Sequence, residues 1–193
     1  MRKVVVQEFV TLDGFAAGPD GELDFIAGSS DSDASGGEFV DDQLAFLETV
    51  DTILLGSVTY RMFAEYWPRQ TVETEGIADA LNATPKVVFS KTVGRAAWGD
   101  WEEPRVVAGS ASEEVRRLKG EPGKDLVVWG SLSLADSLMR DGLVDEYRLW
   151  VCPVLLGRGS RLFEHGLETH WLKRLETKTY DGVVAVRYEV ARP

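Results

Sequence analysis

The run Asp125-Leu-Val-Val-Trp-Gly-Ser-Leu-Ser-Leu-Ala-Asp-Ser-Leu138 constrains the fold more than any other stretch of the chain. Leu126 to Trp129 is a short apolar run of the kind buried in a parallel sheet. Gly130 can adopt backbone angles that a Cβ forbids and lets a ligand approach the main chain. Ser131 or Ser133 can cap a following helix, and Asp136 stands at capping-box distance from Ser133. Leu134, Ala135, Leu138 and Met139 give that helix one apolar face. The unit therefore reads as strand, turn and helix, with free N–H groups at a helix N-terminus, an arrangement that holds phosphate. In open α/β sheets ligands sit beyond the carboxyl ends of the strands, where this turn falls. Many such turns bind nothing, so function rests on what else reaches the same edge.

Three further strand ends resemble it. Lys3–Val10 reads as a buried strand ending at Thr11-Leu12-Asp13-Gly14, Asp51–Gly56 as a strand ending at Gly56-Ser57-Val58-Thr59, and Pro85–Ser90 as a strand ending at Ser90-Lys91. If these strands are parallel, all four ends converge on one rim rich in hydroxyls and backbone donors. Lys91 adds a cation there, with Arg61 and Arg95 near in sequence. Helices are expected over Phe39–Val50, Ser57–Tyr66, Glu75–Asn82 and Ser112–Leu118, the last with Ser112 as its cap. A long loop follows Asp13 and is a candidate lid, with Leu23–Ile26 docking and the Ser/Asp/Gly stretch 29–37 expected to be mobile. Gly142 suits a helix C-cap. Val144–Leu156 is a long strand whose Glu146/Arg148/Trp150 face is the more polar, which suggests a homodimer contact around Trp150. Asp181-Gly182 joins two alternating strands as a hairpin. The fold class is α/β: one domain over 1–193, with a mixed, mostly parallel sheet, antiparallel C-terminal strands and helices on both faces.

The chain carries 32 acidic against 21 basic residues, a formal net charge of −11, which disfavours nucleic acid and anionic membrane surfaces as partners. Cys152 is the one cysteine, so an intrachain disulfide and a thiolate zinc site are excluded. His165 and His170 lack metal-pair spacing, and no metal is expected. The apolar start, Val4–Val6, breaks at Gln7 and Glu8, too short for a signal core, and the expected location is the cytoplasm. Neither G-x-x-x-x-G-K-[ST], G-x-G-x-x-G nor G-x-S-x-G occurs.

Asp13 could orient a substrate or assist proton transfer, or it could close the first loop as an Asx turn. Glu38, Asp41 and Asp42, in the first turn of their helix, could face a ligand or merely offset the helix dipole. Trp67 could wall a site for a flat heterocycle or belong to the core.

Gly130-Ser-Leu-Ser-Leu-Ala-Asp-Ser-Leu138, Gly142-Leu-Val-Asp-Glu-Tyr-Arg-Leu149, Pro153-Val-Leu-Leu-Gly-Arg-Gly159 and Leu162-Phe163 together resemble the reductase domain of the riboflavin-biosynthesis proteins, within the dihydrofolate reductase-like superfamily. Thr11–Gly21 and Gly56–Pro68 resemble that family's other signatures. The resemblance implies a dihydrofolate reductase-like three-layer fold, NADPH as hydride donor and a small heterocyclic substrate. It implies that Gly56, Ser57 and Thr59 contact cofactor phosphates, that Ser90 and Lys91 lie near the adenosine 2′-phosphate, and that Gly130, Ser131 and Leu132 hold the pyrophosphate. Asp13 would lie near the nicotinamide, with Asp42 as the nearest counterpart of the dihydrofolate-binding acid. Gly14 and Trp67 are the expected substrate contacts. Ser57 stands where many members carry arginine, which leaves the NADPH-versus-NADH preference open. The implied activity is reduction of a ribosylaminopyrimidine of the riboflavin pathway, with a dihydropterin reductase or a non-catalytic nucleotide binder as alternatives.

Overall fold

The computed structural model describes residues 1–27, 37–163 and 166–191. The chain opens with β1 (Val4–Thr11), the short β2 (Phe15–Ala17) and a single helical turn α1 (Asp24–Ala27). Three strand–helix pairings follow: α2 (Glu38–Leu47) leads into β3 (Val50–Gly56), α3 (Ser57–Tyr66) and α4 (Ala78–Ala83) lead into β4 (Lys86–Phe89), and β5 (Arg105–Val107) precedes α5 (Ala111–Lys119). Then come β6 (Asp125–Trp129), α6 (Leu132–Arg140), β7 (Glu146–Cys152), the short β8 (Ser160–Arg161) and the hairpin β9 (Leu172–Tyr180) with β10 (Val183–Val190).

One eight-stranded sheet carries the order β5-β4-β3-β6-β1-β7-β10-β9, and β2 pairs with β8 in a separate ribbon. In the eight-stranded sheet the six strands from β5 to β7 pair in parallel and the β10 pairings are antiparallel, as is the β2–β8 ribbon. Alternation along the strands splits the core into layers. Val4, Val6, Leu54, Leu126 and Val128 pack against α5 and α6 through Val115, Leu118, Leu134, Ala135 and Leu138. Val5, Ile53, Leu55, Val88, Val127 and Trp129 pack against α2, α3 and α4 through Val40, Phe46, Leu47, Tyr60 and Leu81. Each fully buried aliphatic side chain contributes about 1.5–3 kcal/mol, so the central strands β1, β3, β4 and β6 are held from both sides.

Local signals placed several boundaries. Gly142 (φ 63°) ends α6, its N–H donating to the Met139 carbonyl at 3.0 Å while the Leu143 N–H reaches Leu138 at 2.9 Å, a Schellman pair. Asp181-Gly182 turns the hairpin, and Phe25 of the docking segment is buried beside Trp150. The cap of α5 is Ser110, not Ser112: its hydroxyl accepts from the Glu113 N–H, and the helix starts earlier than expected. Part of the loop expected as a lid, residues 28–36 with most of its Ser/Asp/Gly stretch, lies outside the described residues.

The expected subunit contact through Trp150 is overturned. Strand β7 lies inside the sheet between β1 and β10, and Trp150 is 0 % exposed within the chain, packed on Phe9, Phe39 and Tyr180. Its face looked polar because Glu146 and Arg148 share it. Both are buried in ion pairs, Glu146 with Arg187 at 2.7 Å and Arg148 with Asp42 of α2. Among the described residues no helix is long and apolar enough to cross a membrane.

Candidate functional site

Strands β3 and β6 are neighbours, and each feeds a helix at the same end of the sheet. Helix α3 starts directly after Gly56, and α6 starts after Gly130-Ser131. Gly130 and Ser131 are successive left-handed residues, φ 63° and 64°. For a serine that conformation costs roughly 1–2 kcal/mol. It aims the Ser131 hydroxyl at β3, where it accepts the Gly56 N–H at 2.9 Å. The predicted capping role is thus absent: neither serine caps α6 by its side chain, because the Ser131 oxygen is used across the sheet. A Cβ on Gly130 would stand 2.9 Å from Thr59 Cγ2. Gly56, Thr59, Gly130 and Ser131 are therefore brought into mutual contact.

The chemistry of this junction follows from what its helices lack. Helices α1, α2, α4 and α5 each carry a carboxylate in the first turn: Asp24, then Glu38 and Asp41, then Asp79, then Glu113 and Glu114. Helices α3 and α6 carry none, and neither has a side-chain cap. In a chain with 32 acidic residues, the two helices that meet at the rim are, among the α-helices of the described residues, the two with neither a first-turn acid nor a side-chain cap. Their free N–H groups and dipoles favour an anion at the same place.

Ser90 directly follows Phe89, which is paired with Gly56, so it stands on the same rim. Its hydroxyl accepts from the N–H groups of Thr92 and Val93 at 3.2 and 3.1 Å, fixing the turn that presents the exposed Lys91. Ser57 opens α3 beside this turn, and Leu132 opens α6. Arg61 is exposed on α3, whereas Arg95 is spent on Glu103 and adds no free cation.

Asp13 and Gly14 stand at the rim end of β1. The Asp13 carboxylate accepts from the Thr11 hydroxyl at 2.6 Å and from the Leu156 and Gly157 N–H groups at 3.1 and 2.7 Å. The Thr11 bond, helped by these two backbone donors, lowers its pKa to about 2. The Asx-type tie is therefore what the geometry supports: Asp13 clamps the loop after β7 and is a poor proton donor. Gly14, at φ 86°, closes the same turn through its N–H to Thr11 at 2.9 Å. Asp42 is also committed, bridging Arg148 and, at 2.6 Å, Lys178. Trp67 is not brought to the rim. It lies past the far end of α3, its ring against Phe63 and Tyr66, and its carbonyl accepts from Asn82 at 2.8 Å. Asn82 in turn binds Lys86 at the start of β4 and the indole of Trp98, so Trp67 belongs to the opposite end of the sheet. Among the described residues no group of three or more His, Cys, Asp or Glu is placed to hold a metal.

Two buried residues escaped the sequence reading. Gln7 and Gln43 hold side-chain polar atoms with no hydrogen-bond partner. The signal for Gln7 was present, a polar pair Gln7-Glu8 interrupting an otherwise apolar strand.

A mostly parallel sheet of this order with antiparallel C-terminal strands and helices on both faces is a dihydrofolate reductase-like fold. The fold matches dihydrofolate reductase from Enterococcus faecalis, solved with NADP(H), at a TM-score of 0.61 and 12% identity over 98% of this chain and 97% of that one. It matches a Shewanella sp. PV-4 protein, designated for riboflavin biosynthesis, at 0.77 and 20% identity over 98% and 99%. The RibD C-terminal domain model matches residues 2–186, and the chain belongs to that family. The uncharacterized protein YyaP of Bacillus subtilis (strain 168) is 34% identical over 190 residues, 97% of this chain and 94% of that protein.

Proposed function

We propose that this protein is an NADPH-dependent reductase that delivers hydride to an electrophilic C=N or C=O carbon of a small heterocycle. The carrying observation is the pair of acid-free helix N-termini joined by the Gly56–Ser131 hydrogen bond. The residues present fit a dinucleotide. The backbone donors opening α3 and α6 would take the pyrophosphate, the absence of a Cβ at Gly130 keeps that approach open, and Ser90 with Lys91 would face the 2′-phosphate. When bound, the nicotinamide supplies the hydride. The chain's own part is to orient it, to hold the neighbouring loops through Asp13 and to exclude water. The finer reading is a ribosylaminopyrimidine substrate, as in the riboflavin pathway, and a cytoplasmic location.

A second reading is a nucleotide binder without turnover. It is favoured by one observation: both candidate acids, Asp13 and Asp42, are engaged in structural contacts. NADPH titration followed by absorbance decay at about 340 nm with pyrimidine and pteridine substrates separates the two. Saturable binding with turnover supports the reductase, and saturable binding without turnover supports the binder. We also propose a homodimer contact along the edge strand β9 and Trp171 just before it, where Trp171, Leu172 and Leu175 are 79 %, 40 % and 40 % exposed.

A further inference from the structure

We propose that Gln7 and Gln43 form an uncharged carboxamide clamp beneath α2 that reads an N–H/C=O edge on a flat, neutral heterocycle, a specificity element that rests on the reductase reading. Gln7 lies in the middle of β1, in register with Trp129 of β6 and Arg148 of β7. It is 0 % exposed, and neither its Nε2 nor its Oε1 has a partner. Buried amides are almost always satisfied, so one with both ends open marks a place where something else supplies the bonds. Gln43 is 2 % exposed and its Oε1 is equally open.

The two face each other by construction. Helix α2 presents Phe39, Gln43 and Phe46 to the sheet at i, i+4 and i+7. Phe39 rests on Phe9 and Trp150, at 6.2 and 4.6 Å between ring centroids, and Phe46 lies 4.3 Å from the Arg148 guanidinium. Gln43 falls between these contacts, over the row of the sheet that holds Gln7. The indole Nε1 of Trp150, on the diagonal from Gln7, is the next open donor. The open set is thus two acceptors, Gln7 Oε1 and Gln43 Oε1, and two donors, Gln7 Nε2 and Trp150 Nε1. A flipped amide presents the same inventory.

Charge is absent from the set. Arg148 is neutralised by Asp42, and Asp42 is shared with Lys178. A cationic ring would leave the donors unpaired and a carboxylate would leave the acceptors unpaired. A cis-amide edge satisfies a carboxamide at both ends. Trp129, in register with Gln7, and the mutually packed rings of Phe9, Phe39 and Trp150 are the aromatic groups a planar ring would meet beside the open amides. Trp129 immediately precedes Gly130, so the clamp begins one residue below the cofactor rim. The half-buried rings of Phe9 and Phe39 stand at its solvent side.

The test is a tryptophan-fluorescence titration of the full chain with 6-aminouracil and with its 1,3-dimethyl derivative, which lacks the ring N–H donors, run with and without NADPH. The expected result is saturable quenching by 6-aminouracil and binding weaker by about tenfold or more for the dimethyl compound. Gln7→Leu and, separately, Gln43→Leu should each weaken 6-aminouracil by about tenfold, leave NADPH affinity within about twofold and raise Tm, because an open buried amide is removed. Using two positions keeps the test valid if one variant does not fold. No saturable binding of 6-aminouracil, equal binding of the two compounds, or variants with unchanged affinity and lowered Tm would overturn the clamp. The last outcome would assign the amides to an internal water. Loss of NADPH binding with the uracil titration intact would overturn the reductase reading and leave the clamp standing.

Discussion

Glu8 and Gln7 are adjacent on β1 but face opposite layers. Burial pushes the Glu8 carboxyl well above its ordinary value of 4.5. A carboxyl whose folded value is raised binds its proton more tightly when folded, so stability is full below 4.5 and falls as pH rises above it. Glu8→Gln should therefore match the parent near pH 4 and exceed it in Tm at pH 7, measured by thermal melts across that range. Asp13 behaves oppositely. Its folded value is about 2 against an ordinary 3.8, so its contribution is present above 3.8 and lost as pH falls through 2. Asp13→Asn should lower Tm at pH 7, with the gap to the parent closing as pH drops from about 4 to 2. A constant gap would mean that the carboxylate is not what ties the loop. Asp13 showed in sequence as a residue with two possible roles. Its choice between them depended on Leu156 and Gly157, 143 and 144 positions away, and no local pattern reports that.

At the scale of the element, the bare N-termini of α3 and α6 set up a test with opposing signs. An acid in a helical first turn normally stabilises by about 0.3–1 kcal/mol. Ser133→Asp, at an exposed position of α6, should raise Tm slightly while weakening NADPH by about tenfold or more, read by thermal melt and fluorescence titration. A stabilised variant with unchanged affinity would remove α6 from the cofactor site. The same elements show what alternation reveals. The apolar runs of β1, β3, β4 and β6 were plain in sequence, as were the Gly142 stop and the Asp181-Gly182 turn, because each is decided by residues within one turn of the chain. Strand β7 was misjudged in its surroundings. The Glu146/Arg148/Trp150 face read as the more polar one, suited to a subunit contact, yet its charges are neutralised inside by Arg187 and Asp42. Buried ion pairs give a core face the pattern of a surface face. Trp67 failed for another reason: the signature Tyr66-Trp67-Pro68 fixed the end of α3, but the length of α3 carried it away from the rim.

At the scale of the molecule, the convergence of Gly56, Ser90 and Gly130 was legible because parallel strands must end together, and the sheet order supplied the neighbours that sequence could not. Assembly follows from what the sheet leaves outside. With Trp150 sealed in the core, the exposed Trp171, Leu172 and Leu175 on and beside the edge strand β9 are apolar groups available to a second copy. Light scattering should give about twice the 21.3 kDa of one chain, and Trp171→Arg combined with Leu175→Asp should shift it toward one. A single-chain mass for the parent protein contradicts the homodimer. The whole account turns on the rim as a dinucleotide site, and Gly130 is its narrowest point. A Cβ there would meet Thr59 at 2.9 Å in a backbone already at φ 63°. The decisive measurement is calorimetric titration of NADPH into the parent chain and into Gly130→Ala. The predicted result is one saturable site per chain in the parent, weakened by about tenfold or more in Gly130→Ala while the variant still melts cooperatively. No saturable heat with the parent, or identical affinities in the two, would contradict it.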